Sequence, residues 1–579
     1  MVRSIPSSNG LCSQLQDLVE ELRSTIRRAA FSRTHAEHIL KRVEDLEACL
    51  NEYKNLENLT IDDQLNYYDG ISISAEIYDY HGKFKEAFRV VQAEGAKVDA
   101  ELDTLPRADE DRTITNVRIR LFLAYCQTFY RSHRYLEARG KAERCKDLVD
   151  QLLKRSDDPD ATVMDHDDSV EGTAARTYYF LGQVYRQLSE YERSRVAYVQ
   201  ATELLHDDLK RKYDRFKAKE DGLSGAIGSA TTEQQKTIFK NRLRAQRDHF
   251  IEERDYISRN LALCLAPRGL AWLAYITGHL KHARPLIIQV ITLLYSTGDW
   301  VNKAYAELLW GMVKRALAGS DVPKLEAAKK ILEGAYNELQ DHPLYRARAA
   351  HELALACFYL RRDRECEEYL NEVLQIVRSP HTTDVRWQCK ALVIWSRLQR
   401  RRRDFAAAER TAAHVLSTAQ KAHQVLCEID AFIARGEARL ELGKYQKAKE
   451  DFRRALRKAK SSDNAQTTAV CNLHLARVYL SENNLRKAED HFGQWQQLKR
   501  LIENQTVHAM ANSVQTDIEA RKNDFVITSG AANLNFDQHV KTLREFLVKE
   551  ARRRYSSNDK VAENLGISRQ TLYNWENQS

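Results

Sequence analysis

An all-α fold, a long stack of helical repeats finished by a small separate helical unit, is what this sequence predicts. Three observations carry that expectation. Only 8 prolines and 21 glycines occur among 579 residues while charged residues make up 30%, so helix breakers are scarce. A chain of 579 residues exceeds what one hydrophobic core can organise, which points to several folding units or a quasi-linear array. An ordered series of large and small residues also recurs along the middle of the chain.

Composition narrows the function before any motif does. The formal charge of +8, from 90 basic against 82 acidic residues, permits a local nucleic-acid site without arguing for one. The 10 cysteines are scattered, without a CxxC pair, and several sit in apolar helical runs such as "LALCLA" around Cys264, so core thiols in a reducing compartment are expected. The start, "MVRSIPSSNG", lacks an apolar signal core, and no segment offers about 18 uninterrupted apolar residues, so a soluble, cytoplasmic protein without membrane contact is expected. No GxxxxGK, GxSxG, HExxH or DxDxDG pattern occurs, so neither enzyme activity, cofactor nor metal is expected. The acidic run Asp165, His166, Asp167 and Asp168 reads as a solvated loop, and His474 and His508 as packed or exposed side chains.

The elements follow in order. In residues 1–65, Leu15, Leu18, Leu22 and Ile26 form one apolar stripe and Ile39, Val43, Leu46 and Leu50 another. Two amphipathic helices are predicted there, capping the array, with dimerisation through them as the alternative. Over 66–500 the repeat is clearest in three places: Tyr178, Leu181, Gly182, Tyr185, Tyr191, Ser194, Tyr198 and Ala201; then Gly436, Gly443, Tyr445, Ala448, Phe452 and Ala455; then Leu475, Ala476, Tyr479, Leu485, Ala488, Phe492 and Trp495. This order resembles the tetratricopeptide repeat, a helical hairpin whose units stack. The small residues would let helices approach, and aromatics such as Phe452 and Tyr479 would fill the wedge against the next hairpin. About nine hairpins are expected, and the step from Ala408 to Ala448 to Ala488 is 40 positions, longer than the common repeat. Long-helix repeats of this kind resemble those of bacterial sensor regulators and some cargo adaptors.

Three interruptions are predicted: exposed acidic loops at 100–115 and 155–173, and a charged excursion at about 206–258, two extended helices joined by the flexible tip "GLSGAIGSATTEQQ". The run Arg400 to Arg403 falls at a turn between two helices and reads as a solvated cluster.

Residues 501–536 have a linker's composition, most clearly in "NDFVITSGAANLNFDQ". In 537–579 a helix carrying Val540, Leu543, Phe546 and Leu547 on one face ends at Ser556 and Ser557, and a second helix is expected from Asn558 or Asp559, either able to cap it. "VAENLGISRQTLYNW" then has what a helix-turn-helix needs: a small residue at the crossing (Ala562), a glycine in the turn (Gly566), and apolar positions Val561, Leu565, Ile567, Leu572 and Trp575. The unit resembles the DNA-binding end of Fis-type bacterial regulators, chiefly through "LGISRQTLY". The resemblance implies that Ser568 caps the recognition helix, that Arg569, Gln570, Thr571, Tyr573 and Asn574 lie on or beside its groove-facing side, and that Lys560 contacts the phosphate backbone. Arg suits guanine, and Gln or Asn suits adenine.

Taken together, the sequence predicts a bacterial, cytoplasmic, sequence-specific transcription regulator, nucleoid-associated when bound to double-stranded DNA. Its repeat array would sense a peptide or protein ligand on the concave face. From Asp537 to Ser579 eight basic residues face six acidic ones, so a homodimer on a two-fold symmetric operator is expected. The alternative is a scaffold that assembles other proteins, with the terminal helices as an accessory contact.

Overall fold

The computed structural model describes residues 8–577 apart from 28–35, 55–60, 81–82, 102–111, 132–133, 155–169, 267–268, 380–383, 463, 530–535 and 556. Every regular element among the described residues is helical. The chain divides into two compact units, one comprising 1–471 and 498–507, the other 472–497 and 508–579.

The first unit opens with α1 (Ser8–Arg27) and α2 (Ala36–Tyr53). Leu15, Leu18 and Leu22 on α1 and Ile39, Val43, Leu46 and Leu50 on α2 are buried, with Leu15, Val43 and Leu46 fully enclosed. Gly70 shows what they cover, since a methyl group there would meet Leu50, Val19 and Leu46 within 3.2 to 3.5 Å. Both helices therefore pack apolar side chains against α3 (Ile61–Tyr80).

Helical pairs follow: α3 (Ile61–Tyr80) with α4 (Phe84–Glu101), α5 (Arg112–Arg131) with α6 (Tyr135–Lys154), and α7 (Val170–Gln187) with α8 (Tyr191–Ser229). Then α9 (Glu233–Leu265) and α10 (Leu270–Thr277) pair with α11 (Leu280–Ser296), α12 (Trp300–Ala318) with α13 (Val322–Glu338), and α14 (Pro343–Tyr359) with α15 (Asp363–Arg378). The unit continues through α16 (Val385–Arg401) and α17 (Phe405–Lys421), then α18 (Val425–Glu441) and α19 (Tyr445–Ser461). With α20 (Ala465–Ser481) and α21 (Leu485–Leu498) these make the nine pairs that the repeat spacing predicts.

The 40-residue step has a simple origin. Helices α16 to α19 are each 17 residues long, about 25 Å, and three-residue turns join them. Each turn carries one left-handed residue, Arg403 at φ +66°, His423 at +51° and Gly443 at +70°. That conformation lets the following amide bond back to the helix, as Asp404 N does to Gln399 O at 3.0 Å and Lys444 N to Arg439 O at 2.9 Å.

Inside a hairpin, an aromatic ring on the second helix lies against a glycine on the first. A methyl on Gly182 would stand 2.6 Å from the Tyr198 ring, and one on Gly436 would stand 2.7 Å from Phe452. Phe452 thus packs within its own hairpin, whereas the sequence suggested a wedge against the next one. The reason is geometric: only the bare glycine backbone leaves room for a ring at the helix crossing.

Within the arginine run at 400–403, Arg402 and Arg403 are exposed as expected, yet most of the run is also engaged by its neighbours. Arg401 donates to Asp363 at 2.6 Å and to the Phe358 carbonyl at 2.7 Å, and Arg402 donates to Glu367 at 2.6 Å. Arg400 reaches the other way, to Glu441 at 3.3 Å. The run stitches three successive hairpins together, because a long cationic side chain at a turn can reach both neighbours.

The excursion is a long helical hairpin of α8 and α9, 39 and 33 residues, held by Phe216 stacked on Phe250 at 4.6 Å. Its glycine-rich stretch stays helical to Ser229, and Thr232 caps α9 by accepting from Gln235 N at 3.2 Å. The central parts of the two predicted acidic loops, with Asp165, His166, Asp167 and Asp168, lie outside the described residues.

The second unit holds the end of α20, most of α21, and then α22 (Gln505–Ser529), α23 (Phe536–Arg554), α24 (Asn558–Leu565) and α25 (Arg569–Asn577). The expected linker at 501–536 is largely helix. Asn504 accepts from Thr506 N at 3.0 Å to start α22, and Val507, Ala511, Val514 and Ile518 bury one stripe. Composition concealed that period. His474 is buried, and His508 lies edge-on to Trp495 at 6.2 Å.

Candidate functional site

Two places could carry function, one in each unit. In the second, α23, α24 and α25 share a miniature core of Val548, Ala551, Val561, Ala562 and Leu572, with Tyr555, Leu565, Ile567 and Trp575 packed around it. Gly566 turns the chain at φ +64°, and the Ile567 amide bonds back to Ala562 O at 3.0 Å. Val561, Ala562, Leu565, Ile567, Leu572 and Trp575 thus pack into one small core, and Gly566 turns the chain between α24 and α25.

Ser568 caps α25, its Oγ accepting from Thr571 N at 3.0 Å and lying 2.7 Å from Thr571 Oγ1. Thr571 is half-buried, while Arg569, Gln570, Tyr573 and Asn574 are exposed, Tyr573 by 63%. Gln570 Nε2 donates to Asn574 Oδ1 at 3.3 Å, which aligns the two amides one turn apart. Lys560 is exposed on α24.

Two features differ from expectation. Ser557, not Asn558 or Asp559, precedes α24, and it makes no capping bond. Asp559 instead forms an ion pair with Arg569. On the same unit Arg552 is held by Glu576 at 2.8 Å. Carboxylates thus offset part of the positive charge on this surface.

The second place is a cavity of about 230 Å³ in the first unit, which the sequence did not locate. Apart from Arg23 of α1, its lining comes from the first helices of the hairpins, namely α3, α5, α7, α9, α12 and α14. Among the described residues that line it, Arg23, Arg120, Arg131 and Arg176 stand against the carboxylates of Asp69 and Glu76. Arg120 pairs with Asp69 at 3.0 Å, and Arg23 pairs with the same carboxylate. Arg176 lies 3.5 Å from Glu76 and 5.4 Å from the centre of the Tyr256 ring. Tyr130, Tyr179 and Tyr345 add hydroxyl-bearing walls. Such a lining suits a ligand with polar, net anionic character. The available signal was arginine set in otherwise apolar first helices, as in "RIRLFLAYCQTFYR" and "RTYYFLGQVYRQ".

Contacts also join distant hairpins of the first unit. Gln424 Nε2 lies 3.4 Å from the Tyr135 hydroxyl, and Glu503 accepts from Lys281 N at 2.5 Å.

Residues 175–204 and 429–458, which fall within the α7–α8 and α18–α19 hairpins, match the tetratricopeptide repeat family model. No curated protein sequence matches the chain. Among solved structures, similarity is found to a Rap protein complexed with competence and sporulation factor, at 11% identity over 78% of this chain and 99% of that one, with a TM-score of 0.48. It is found also to the Rap conjugation gene regulator of plasmid pLS20 in complex with the Phr* peptide, at 12% identity over 78% and 96%, with a TM-score of 0.41. A tetratricopeptide sensor protein of the signal-transduction ATPase class from Pyrococcus horikoshii matches at 11% identity over 90% and 87%, with a TM-score of 0.36. At these similarities none of them assigns a ligand or an activity. Among the described residues no helix is long and apolar enough to cross a membrane.

Proposed function

We propose that this chain is a sequence-specific DNA-binding regulator, not an enzyme, whose repeat array senses a peptide or protein ligand. One observation carries the reading: α25, capped by Ser568, presents Arg569, Gln570, Tyr573 and Asn574 together on its exposed side. A helix of nine residues with amide and guanidinium groups on one face has the form that enters a major groove. Lys560 would contact the backbone, and two copies would meet a two-fold symmetric site. Ligand binding would act by favouring one arrangement of the two copies, since equal affinity for both would shift nothing.

A gel shift with genomic fragments tests this. The intact chain should retain particular fragments, and the variant Arg569→Ala/Gln570→Ala should bind them about 10- to 100-fold more weakly. Absence of retention even at low salt favours a scaffold instead. That second reading draws on the carboxylates Asp559 and Glu576, which engage Arg569 and Arg552.

A further inference from the structure

Next to the cavity, an arginine of α7 and two from the consecutive α14 and α16 hairpins gather among aromatic rings. Arg186 on α7 is 8% exposed and lies 5.8 Å over the Trp272 ring, and its Nε has no hydrogen-bond partner among the described residues. No carboxylate among the described residues pairs with it. Arg348 on α14 donates to the Tyr305 hydroxyl at 2.8 Å and lies 5.2 Å from the Tyr345 ring, and its Nε is also unsatisfied among the described residues. Arg386 on α16 has a carboxylate nearby, Asp384 at 3.5 Å. Its Oδ1 accepts from Arg386 N at 3.0 Å and Trp387 N at 3.2 Å, and its Oδ2 faces the Arg386 guanidinium.

Tyr305 and Tyr130 link the group. Tyr305 stacks on Trp272 at 6.1 Å, and the charges of Arg186 and Arg386 both reach it. Burial acts to raise the phenol of Tyr130, yet Arg186 and Arg386, with the Gln187 amide at 2.9 Å and Arg131, outweigh burial and bring it down to about 8. A phenol that burial pushes up comes down only where nearby positive charge and donated hydrogen bonds outweigh that burial. Tyr130 also lines the cavity, as do Gln183, one turn before Arg186, and Tyr345.

Three guanidinium groups around one carboxylate are a costly arrangement in a partly buried region. Ring faces offset part of the charge but satisfy none of the in-plane N–H donors. We propose that the Arg186, Arg348 and Arg386 cluster is an oxyanion-binding site, reached from the cavity, at which a ligand's carboxylate or phosphoryl group meets the guanidinium donors left without a partner among the described residues. Arginine's planar fork matches both groups. The proposal rests on the ligand-sensing reading above and specifies its chemistry. It also gives the ligand a mechanical role, because one anion held by α7, α14 and α16 joins hairpins far apart in the chain.

Thermal unfolding of the full-length chain tests it, in matched ionic strength of chloride, inorganic phosphate or succinate. Phosphate or succinate should stabilise the wild type, and Arg186→Gln should need at least about tenfold more anion for the same shift. In chloride alone Arg186→Gln should melt no lower than wild type, because the substitution removes an uncompensated buried charge. Arg364→Gln, at a side chain 93% exposed, should respond as wild type does and serves as the control for general ionic effects. The stronger of the two anions identifies the source, an acidic peptide group or a phosphoryl group. Equal responses in wild type and Arg186→Gln, no response to either anion, or a lower melting of Arg186→Gln in chloride would each overturn the proposal. Any of those results alongside selective DNA retention leaves the regulator reading in place, with an uncharged ligand.

Discussion

Two glycine-to-alanine substitutions, chemically identical and both inside helices, should change stability in opposite directions. Gly334 lies exposed in α13, where a methyl group would meet nothing within 4 Å. Gly334→Ala should therefore stabilise by about 0.5–1 kcal/mol, through the smaller backbone entropy lost on folding. Gly436 in α18 receives the same gain, but its new methyl would lie 2.7 Å and 2.8 Å from two ring carbons of Phe452, which is fully buried. Forcing that ring aside costs about 1–3 kcal/mol, so Gly436→Ala should come out neutral to about 2.5 kcal/mol destabilised. The assay is urea unfolding followed by far-UV circular dichroism, comparing midpoints with wild type. A Phe452→Leu background supplies the second comparison, in which Gly436→Ala should become neutral or stabilising because the ring is gone. If Gly436→Ala stabilised as much as Gly334→Ala, or if its effect were unchanged without the ring, close packing of Phe452 on the Gly436 backbone would be refuted.

Two further expectations concern buried chemistry. Arg315 and Glu352 form an enclosed ion pair at 2.9 Å, and breaking it with Glu352→Gln should cost about 3–5 kcal/mol. Burial acts to raise the Glu352 carboxyl, but His351 at 3.1 Å and the Arg315 charge outweigh burial and hold it down at about 2. Since the folded value lies below the unfolded one of 4.5, this contribution is fully present above that pH and is lost as pH falls toward 2. Acid titration of stability should therefore be flatter in Glu352→Gln. Among the thiols, nine are buried and Cys12 is half-exposed, so alkylation of the native chain followed by mass spectrometry should modify Cys12 first. Burial and the neighbouring Asp63 raise its thiol, so the reaction should be slow at neutral pH. Fast labelling of Cys145 or Cys264 would contradict the burial of those two side chains.

Much of the architecture was legible because its signals are local. Scarce prolines, the recurring small and large residues and the 40-residue step follow from 17-residue helices joined by three-residue turns, and neighbouring residues alone dictate those. The terminal unit was legible for the same reason: Ala562, Gly566 and Leu572 lie within a few residues of one another, so the angle they set is nearly a property of the segment. Two signals were local and still missed. The buried stripe Val507, Ala511, Val514 and Ile518 was hidden by polar composition, and the ring of Phe452 was assigned to the wrong neighbour because spacing does not say which helix a side chain faces.

The sequence by itself determined the helices, their pairing in series and the turn chemistry of the last two. Only the tertiary structure decided where the charge gathers. Arg186, Arg348 and Arg386 stand on three hairpins, and Arg23 and Arg120 reach one carboxylate from two elements; no periodicity encodes such meetings. They depend on the angle accumulated from hairpin to hairpin, to which every crossing in the stack adds a little. The same limit applies to Arg569, whose partner Asp559 on the preceding helix became visible only once the turn at Gly566 had folded the two together.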